Sequence, residues 1–189
     1  MPGWAALTME EIGEAAAAGA LALLPVGATE QHGPHLGTGT DTLLAERITE
    51  AAAEMTGDLV LPALAYGCSL GHTDRWPGTL SLGPATMIAL LVEVGRWTHA
   101  SGFRKLVMVN GHATNGPPCQ SAILQLRHEL PDLRPRFVSI FDLTPELAAR
   151  YTEDAADFHA NEAETSMLLH LDPAQVRTER AVDEPDRTP

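Results

Sequence analysis

Short apolar runs, polar loops and amphipathic stretches follow one another in a regular order along this chain. Apolar runs with the length of buried strands occupy residues 21–26, 59–62, 106–109 and 136–140. Helical periodicity covers residues 10–18, 41–55, 85–100, 120–130 and 160–171, with Thr40 placed to cap the second helix and Gly57 to end it. The alternation predicts a single α/β domain, residues 1–181, with a mainly parallel central sheet between two layers of helices.

The loops that follow the predicted strands carry most of the polar chemistry. They span residues 27–40, 65–84 and 110–118. In open parallel sheets, ligands bind beyond the carboxyl ends of the strands. The side chains of these three loops are therefore expected to converge on one rim of the sheet.

The first loop contains the stretch EQHGPHLGTGTD, residues 30–41, which gathers carboxylates and imidazoles among glycines. Glu30 and His32 are two apart, so in extended backbone both face the same side. Asp41 stands at the predicted helix start, and His112 follows the third strand. Carboxylate and imidazole groups are the ligands of hydrolytic zinc, manganese and iron sites, which predicts a metal centre. The alternative is that the two carboxylates cap helices and the histidines lie at the surface.

Two further clusters supply candidates for the chemistry around such a metal. His159, Glu162 and Glu164 precede an apolar run in FHANEAETS, where they could transfer protons, although acidic residues are favoured in a first helical turn by the dipole alone. The second loop offers His72, Asp74 and Trp76 for substrate contact, but Trp76, beside Pro77, equally suits packing.

Composition narrows the possible partners and location. A formal charge of -13 disfavours nucleic acid and anionic membranes, and no apolar run could span a bilayer. Cys68 and Cys119 form no CxxC pair, which fits a reducing cytoplasm. The acidic segment 182–189 is expected to be a mobile tail.

Four stretches together resemble the creatininase family of metal-dependent amidohydrolases. They are LPVGATEQHGPHLGTGTDT, GHTDRWPGTLSLG, NGHATN and HANEAETSMLLHLDP, and they cover most of the chain. The resemblance implies a three-layer α/β/α fold, one or two divalent ions (zinc first, with manganese or iron as alternatives) and a homo-oligomer. It places Glu30, His32, Asp41 and His112 on family metal positions, with Asp41 bridging, and His159 on the catalytic histidine position.

The sequence departs from that family at three points. Creatininase has a carboxylate where this chain has Thr114, so Glu162 could replace that ligand, one ion could bind weakly, or a single metal could serve. Relatives usually carry a glycine pair in place of Ala113 and Thr114. They also continue for tens of residues past the position of Pro189, so a terminal element of the family can lie beyond this sequence.

The implied reaction is hydrolysis of a C–N bond, other than an ordinary peptide bond, by metal-activated water. The expected substrate is a small amide, lactam or formamide, or a short modified peptide. Glu162 or Glu164 would move the proton, and His159 would protonate the leaving amine. The alternative is a homologue that binds metal or acts as a scaffold without turnover.

Overall fold

The computed structural model describes residues 3–152 and 159–182. Within them a four-stranded sheet is formed by β1 (Ala22–Val26), β2 (Leu59–Val60), β3 (Lys105–Asn110) and β4 (Arg134–Ser139). The strand order is β2-β1-β3-β4 and every pairing is parallel. The predicted α/β class with a parallel sheet is confirmed.

The described residues form six α-helices. Their bounds are Met9–Ala17 (α1), Thr40–Thr56 (α2), Pro84–Ala100 (α3), Gly116–Glu129 (α4), Pro145–Tyr151 (α5) and Glu162–Leu171 (α6). Helices α2, α3 and α4 connect successive strands, as parallel pairing requires. Among the described residues no helix has the length and apolarity needed to cross a membrane.

The sheet separates two apolar clusters. The larger contains Leu106 and Met108 of β3 together with residues of α3 and α4, which pack on each other. The smaller joins Leu44 of α2 to Leu168 of α6, and Val109 of β3 packs against it. Successive β3 residues thus face opposite layers, as the pleat of a strand dictates. The result is the predicted arrangement of helices on both faces of a sheet.

Several helix boundaries differ from the sequence prediction by one or two residues, and three differences have a clear physical reason. Thr40 is the first residue of α2 rather than its cap, and its hydroxyl donates to the carbonyl of Gly37. Helix α4 begins at Gly116, four residues early, because prolines are tolerated in a first turn, whose N–H groups have no partner within the helix. The short α5 was not predicted; Thr144 caps it by accepting from the amide of Leu147.

Two glycines let the ends of β1 and β3 approach the first turn of α2. A Cβ on Gly27 would collide with Thr42, and one on Gly111 with the carbonyl oxygen of Asp41. Both glycines are buried directly after their strands. This close contact brings Asp41 to the carboxyl ends of the two central strands. Of the predicted acidic tail, residues 183–189 lie outside the described residues.

Candidate metal centre

Five buried side chains from four segments meet beyond the carboxyl ends of β1 and β3. Glu30 and His32 come from the loop after β1, Asp41 from the first turn of α2, His112 from the loop after β3, and Glu164 from the first turn of α6. Each is at most 6% exposed. The rim predicted from the order of elements therefore carries the residues expected on it, and Glu164 joins them.

The ligand-type atoms of these residues lie within contact distance of one another. Asp41 is shared, with Oδ1 3.0 Å from His32 Nε2 and Oδ2 3.1 Å from His112 Nδ1. His112 Nδ1 is also 3.2 Å from Glu30 Oε1, and His159 Nδ1 is 3.4 Å from the same oxygen. Glu164 Oε1 is 4.0 Å from His32 Nε2.

Backbone carbonyls orient three of the histidines. His32 Nδ1 lies 3.2 Å from the carbonyl of Glu30, His112 Nε2 lies 2.8 Å from that of Cys68, and His159 Nε2 lies 2.6 Å from that of Gln31. A carbonyl only accepts hydrogen bonds, so each of these nitrogens carries a proton. In the neutral ring the opposite nitrogen then has a lone pair, and in all three rings it faces a carboxylate.

Several buried atoms of this cluster have no hydrogen-bond partner among the described residues. They are both oxygens of Glu30, Nε2 of His32, Oδ2 of Asp41 and Oε2 of Glu164. Buried polar atoms normally find partners, because leaving them without any costs free energy. Nitrogen and oxygen atoms that face each other across 3 to 4 Å in this way need positive charge between them, supplied by ring protons or by a bound cation.

The donor set fits a divalent metal. Three groups of residues each bring ligand atoms within 4.8 Å of one another, namely Glu30, His32 and Asp41; His32, His159 and Glu164; and Glu30, His72 and His159. Imidazole with carboxylate suits zinc, manganese and iron. The hydrogen bonds from each histidine to a carbonyl are the usual means by which proteins fix a ligand ring.

The electrostatics of the protein without metal indicate the same need for positive charge. Burial alone would disfavour the His32 imidazolium, but the carboxylates of Asp41, Glu164 and Glu30 outweigh it and raise its pKa to about 10. The pKa of His112 is also raised, since Asp41 and Glu30 overcome its burial. Protons on these rings therefore occupy the place where a cation would bind, and the two compete.

Two further groups have shifted pKa values suited to proton transfer. Burial raises the pKa of Glu164 to about 7, despite the opposing influence of His32. Burial, reinforced by the charge of His32, lowers the pKa of His159 to about 4. At neutral pH His159 is therefore a neutral ring with an available lone pair, whereas Glu164 is close to its midpoint.

Of the three residues expected to contact substrate, His72 and Trp76 adjoin the candidate site and Asp74 does not. His72 is 8% exposed, and its ring lies edge-on to His159 with the centroids 4.6 Å apart. Trp76 is partly buried and its ring centroid lies 5.7 Å from that of His72. Asp74 is exposed and forms no part of the candidate metal groups among the described residues.

Glu162 and Thr114 are the two positions that determine whether a second metal ion would have a further ligand. Glu162 is the exposed first residue of α6 and is absent from the candidate groups of the described segments. The Thr114 hydroxyl donates to the carbonyl of Cys68 and lies 2.6 Å from His112 Nε2, on the side of the ring away from Asp41. Neither side chain supplies an oxygen where the carboxylates gather.

Gln31 and Ala160 also contribute to the site, although neither residue type nor spacing marks them in the sequence. Gln31 contacts both His72 and His159. Ala160 has a φ of 53°, a left-handed conformation that is uncommon for residues other than glycine, at the start of α6 beside Glu164. Alternation along the first loop would direct Gln31 away from Glu30 and His32, and no sequence signal marks the backbone of Ala160.

Comparison with known proteins identifies the family to which the chain is similar. The creatininase family profile, described as creatinine amidohydrolase, matches residues 5–189. The mycofactocin precursor peptide peptidase of Mycolicibacterium smegmatis is 38% identical over 172 residues, 86% of this chain and 62% of its own length. Creatinine amidohydrolase of Pseudomonas putida is 34% identical over 198 residues, 96% of this chain and 76% of its own.

Solved structures give the same result. A crystal structure of creatinine amidohydrolase aligns with a TM-score of 0.87 at 35% identity, covering 96% of this chain and 76% of that one. Related creatininase structures include a Zn-Zn form of a mutant and a manganese form. The chain spans about three fifths (61–62%) of the length of the mycofactocin precursor peptide peptidases it matches. On fold and sequence together, this chain belongs to the creatininase family.

Proposed function

We propose that this protein is a metal-dependent amidohydrolase that cleaves a C–N bond of a small amide, lactam or formamide, or of a short modified peptide. One observation carries the proposal. Three imidazole nitrogens and the oxygens of three buried carboxylates meet in a common space, where protons on His32 and His112 balance the negative charge when no metal is bound. Such a cluster is unfavourable by itself and is stabilised by a cation.

Glu30, His32, Asp41 and His112 would hold the metal. A divalent cation bound there supplies Lewis acidity, which polarises a carbonyl and makes water nucleophilic at neutral pH. The zinc and manganese forms of creatininase support these two metals, and we infer zinc as the first choice. The position of the Thr114 hydroxyl behind His112 supports one firmly held ion rather than two.

Glu164 and His159 would move the protons. Glu164, with a pKa of about 7, can accept a proton from water near neutral pH and release it again in the same cycle. The Nδ1 lone pair of His159 can take up a proton and pass it to the departing nitrogen, while its Nε2–H stays bonded to the carbonyl of Gln31. The low pKa of about 4 makes the protonated ring a strong donor.

The substrate would enter past His72 and Trp76. Their rings adjoin, and the His72 ring stands next to His159, which supports contact with the group next to the scissile bond. The two named relatives act, by their names, on a precursor peptide and on creatinine. The somewhat higher identity to the peptide peptidase favours a peptide-derived amide as the first substrate to examine.

We also infer a cytoplasmic homo-oligomer. Both cysteines are buried free thiols, which supports a reducing compartment. Trp97 of α3 and Leu124 of α4 are 69% and 67% exposed on two helices that pack together, which supports a subunit contact on that side. Light scattering coupled to size exclusion, on the native protein and on Trp97→Glu, tests the assembly.

The function is tested by turnover of an amide panel after removal and return of metal. Creatinine, N-formyl amines and short peptides would be offered to protein treated with a chelator and then reconstituted with zinc or manganese. We expect hydrolysis of at least one member with metal and none without it. His159→Ala should lose activity by about 10²-fold or more, as expected for a proton-transfer group.

His170→Ala is the matched control, because His170 is an exposed histidine on α6 outside the cluster. It should retain full activity. Stoichiometric metal binding without hydrolysis of any panel member, unchanged in His159→Ala, would instead favour a metal-binding homologue without catalysis.

A further inference from the structure

His72 differs from the other histidines of the site in the group that holds it. His32, His112 and His159 are each anchored by a carbonyl oxygen, an acceptor. His72 Nδ1 instead lies 3.0 Å from the side-chain amide nitrogen of Gln31. The ring nitrogen of His72 is therefore paired with a donor.

The orientation of that amide is fixed by a neighbouring backbone group. The amide N–H of Gly33 donates to Gln31 Oε1 at 3.0 Å. A backbone N–H can only donate, so the atom it contacts is the oxygen and the atom facing His72 is the NH₂ group. The backbone of Gln31 is held as well, because its N–H donates to the Thr79 hydroxyl at 3.1 Å.

The tautomer of His72 follows from this arrangement. Because Nδ1 accepts from Gln31, the proton of the neutral ring is on Nε2. A metal bound to Nε2 would require the proton on Nδ1, where it would oppose the NH₂ group of Gln31. His72 thus stands in a candidate metal group by distance but is held in the form that cannot serve as a ligand.

The Nε2–H of His72 has no acceptor among the described residues, and it is not one of the fully buried unpartnered atoms. It is therefore open to a ligand. The His72 ring lies edge-on to His159 and forms a candidate group with Glu30, so its N–H donor suits an oxygen that gains negative charge there, such as the carbonyl oxygen of an amide under attack.

We propose that His72 is a catalytic residue that donates its Nε2–H to the substrate's carbonyl oxygen, and that Gln31 is the positioning residue that keeps it in this tautomer. The inference rests on the proposed hydrolysis for the identity of the acceptor. Gln31 also accepts from His159 Nε2 through its backbone carbonyl. One residue therefore sets two opposite ring forms, a donor at His72 and a lone pair at His159.

Gln31→Glu tests the tautomer directly. A carboxylate at this position still accepts from Gly33 but offers His72 an acceptor, so the ring proton should move to Nδ1. Long-range proton–nitrogen NMR of the zinc-loaded protein reports which ring nitrogen carries the proton. We expect Nε2 in the native protein and Nδ1 in Gln31→Glu, with His159 unchanged in both because its acceptor is the backbone.

Activity tests the role of the donor. The same variant should lower kcat by about 10²-fold to 10³-fold, the range for loss of one oxyanion donor, with a much smaller change in KM. Gln31→Met removes the amide donor without adding charge, and its kcat should lie between that of the native protein and that of Gln31→Glu. Gln120→Glu, an exposed residue of α4, carries the same charge change and should behave as native.

A native spectrum with the His72 proton on Nδ1 would overturn the inference without any variant. So would an unchanged kcat in a Gln31→Glu protein that keeps its metal and shows the moved proton. If the native protein hydrolyses no panel member, the proposed function fails and the substrate role fails with it, while the spectrum still decides the tautomer.

Discussion

Asp41 connects two loops through its two oxygens. Oδ1 contacts His32 from the loop after β1, and Oδ2 contacts His112 from the loop after β3. The carboxylate is 1% exposed, and Oδ2 has no hydrogen bond within the described parts of the chain. One oxygen replaced by an amide nitrogen would therefore disturb both histidines at once.

We expect Asp41→Asn to weaken zinc binding by at least about 10²-fold, since even changes to groups behind a ligand cost 10-fold to 100-fold. The amide keeps the shape of the side chain but removes its charge and one acceptor. Competition with a zinc chelator measures the effect. Asp142→Asn, at an exposed acid after β4, should bind zinc as the native protein does. Equal affinity in the two variants would remove Asp41 from the ligand set.

Cys119 provides a test that is independent of metal. Its side chain is fully buried, and burial raises its pKa from 9.0 to about 12. Because the unfolded thiol ionises first, its contribution to the free energy of unfolding is complete below pH 9 and is lost as pH rises toward 12.

The native protein should therefore lose stability relative to Cys119→Ala between pH 8.5 and pH 10.5, by up to about 1.4 kcal/mol per unit above the unfolded pKa. Urea unfolding at several pH values measures the difference. A difference that stays constant with pH would mean that the thiol ionises in the folded protein as readily as in the unfolded chain.

Four candidate ligands could be predicted because their chemistry and their position after strands agree. Glu30, His32, Asp41 and His112 need only the parallel sheet to bring them together. Glu164 could be placed near the site but not against His32, since that depends on the packing of α6 on α2. The role of Gln31 depends on the direction of one amide, which residue spacing does not encode.

Helix α2 can approach the sheet closely because glycines, Gly27 and Gly111, stand where its first turn meets the strands. Gly111 follows β3 and lies under the carbonyl of Asp41, and a methyl group there would also meet Ala45 at 3.1 Å. The first turn of α2 can carry Asp41 into the site only because this space is left open.

Gly111→Ala should lower the free energy of unfolding by about 1 to 3 kcal/mol, the usual cost of overpacking, and should also weaken zinc binding. Gly116→Ala is the matched control, because nothing lies within 4 Å of a Cβ there and its backbone is helical. Urea unfolding and zinc titration of both variants decide the matter. Equal free energies of unfolding for the two variants would mean that α2 shifts to accommodate the added methyl group without loss of stability.

The strands and long helices were predictable, while their ends were not. Gly57 ends α2 in the left-handed conformation that its position indicated. Thr40 looked like a cap by residue type, yet it lies one residue inside the helix and bonds backward to Gly37. Pro117 and Pro118 suggested a loop, but prolines are compatible with a first helical turn. The sequence pattern therefore placed the start of α4 too late.

At the scale of the whole molecule, the buried carboxylates Glu30, Asp41 and Glu164 place an excess of negative charge at one end of the sheet. Without metal, protons on His32 and His112 offset that excess, which is why their pKa values are raised, that of His32 from 6.5 to about 10. This contribution to stability is complete below pH 6.5 and is lost as pH rises toward 10. A bound divalent cation would replace the protons and remove this dependence.

In the presence of a chelator, the free energy of unfolding should therefore fall between pH 7 and pH 9. With free zinc held at one concentration, 100 times its dissociation constant at pH 7, the protein should be more stable by about 2.7 kcal/mol at pH 7, and the gap between the two conditions should widen as pH rises. Urea unfolding measures both. A gap that narrows as pH rises would show that zinc and these protons do not compete.

The most direct measurement is a crystal structure of zinc-loaded protein with anomalous scattering recorded at the zinc edge. We predict a strong zinc peak coordinated by Glu30, His32, Asp41 and His112, at about 2.0 to 2.2 Å from each ligand atom. A zinc-saturated crystal with no peak between these four side chains, or with the metal bound elsewhere and the four apart, would contradict the account.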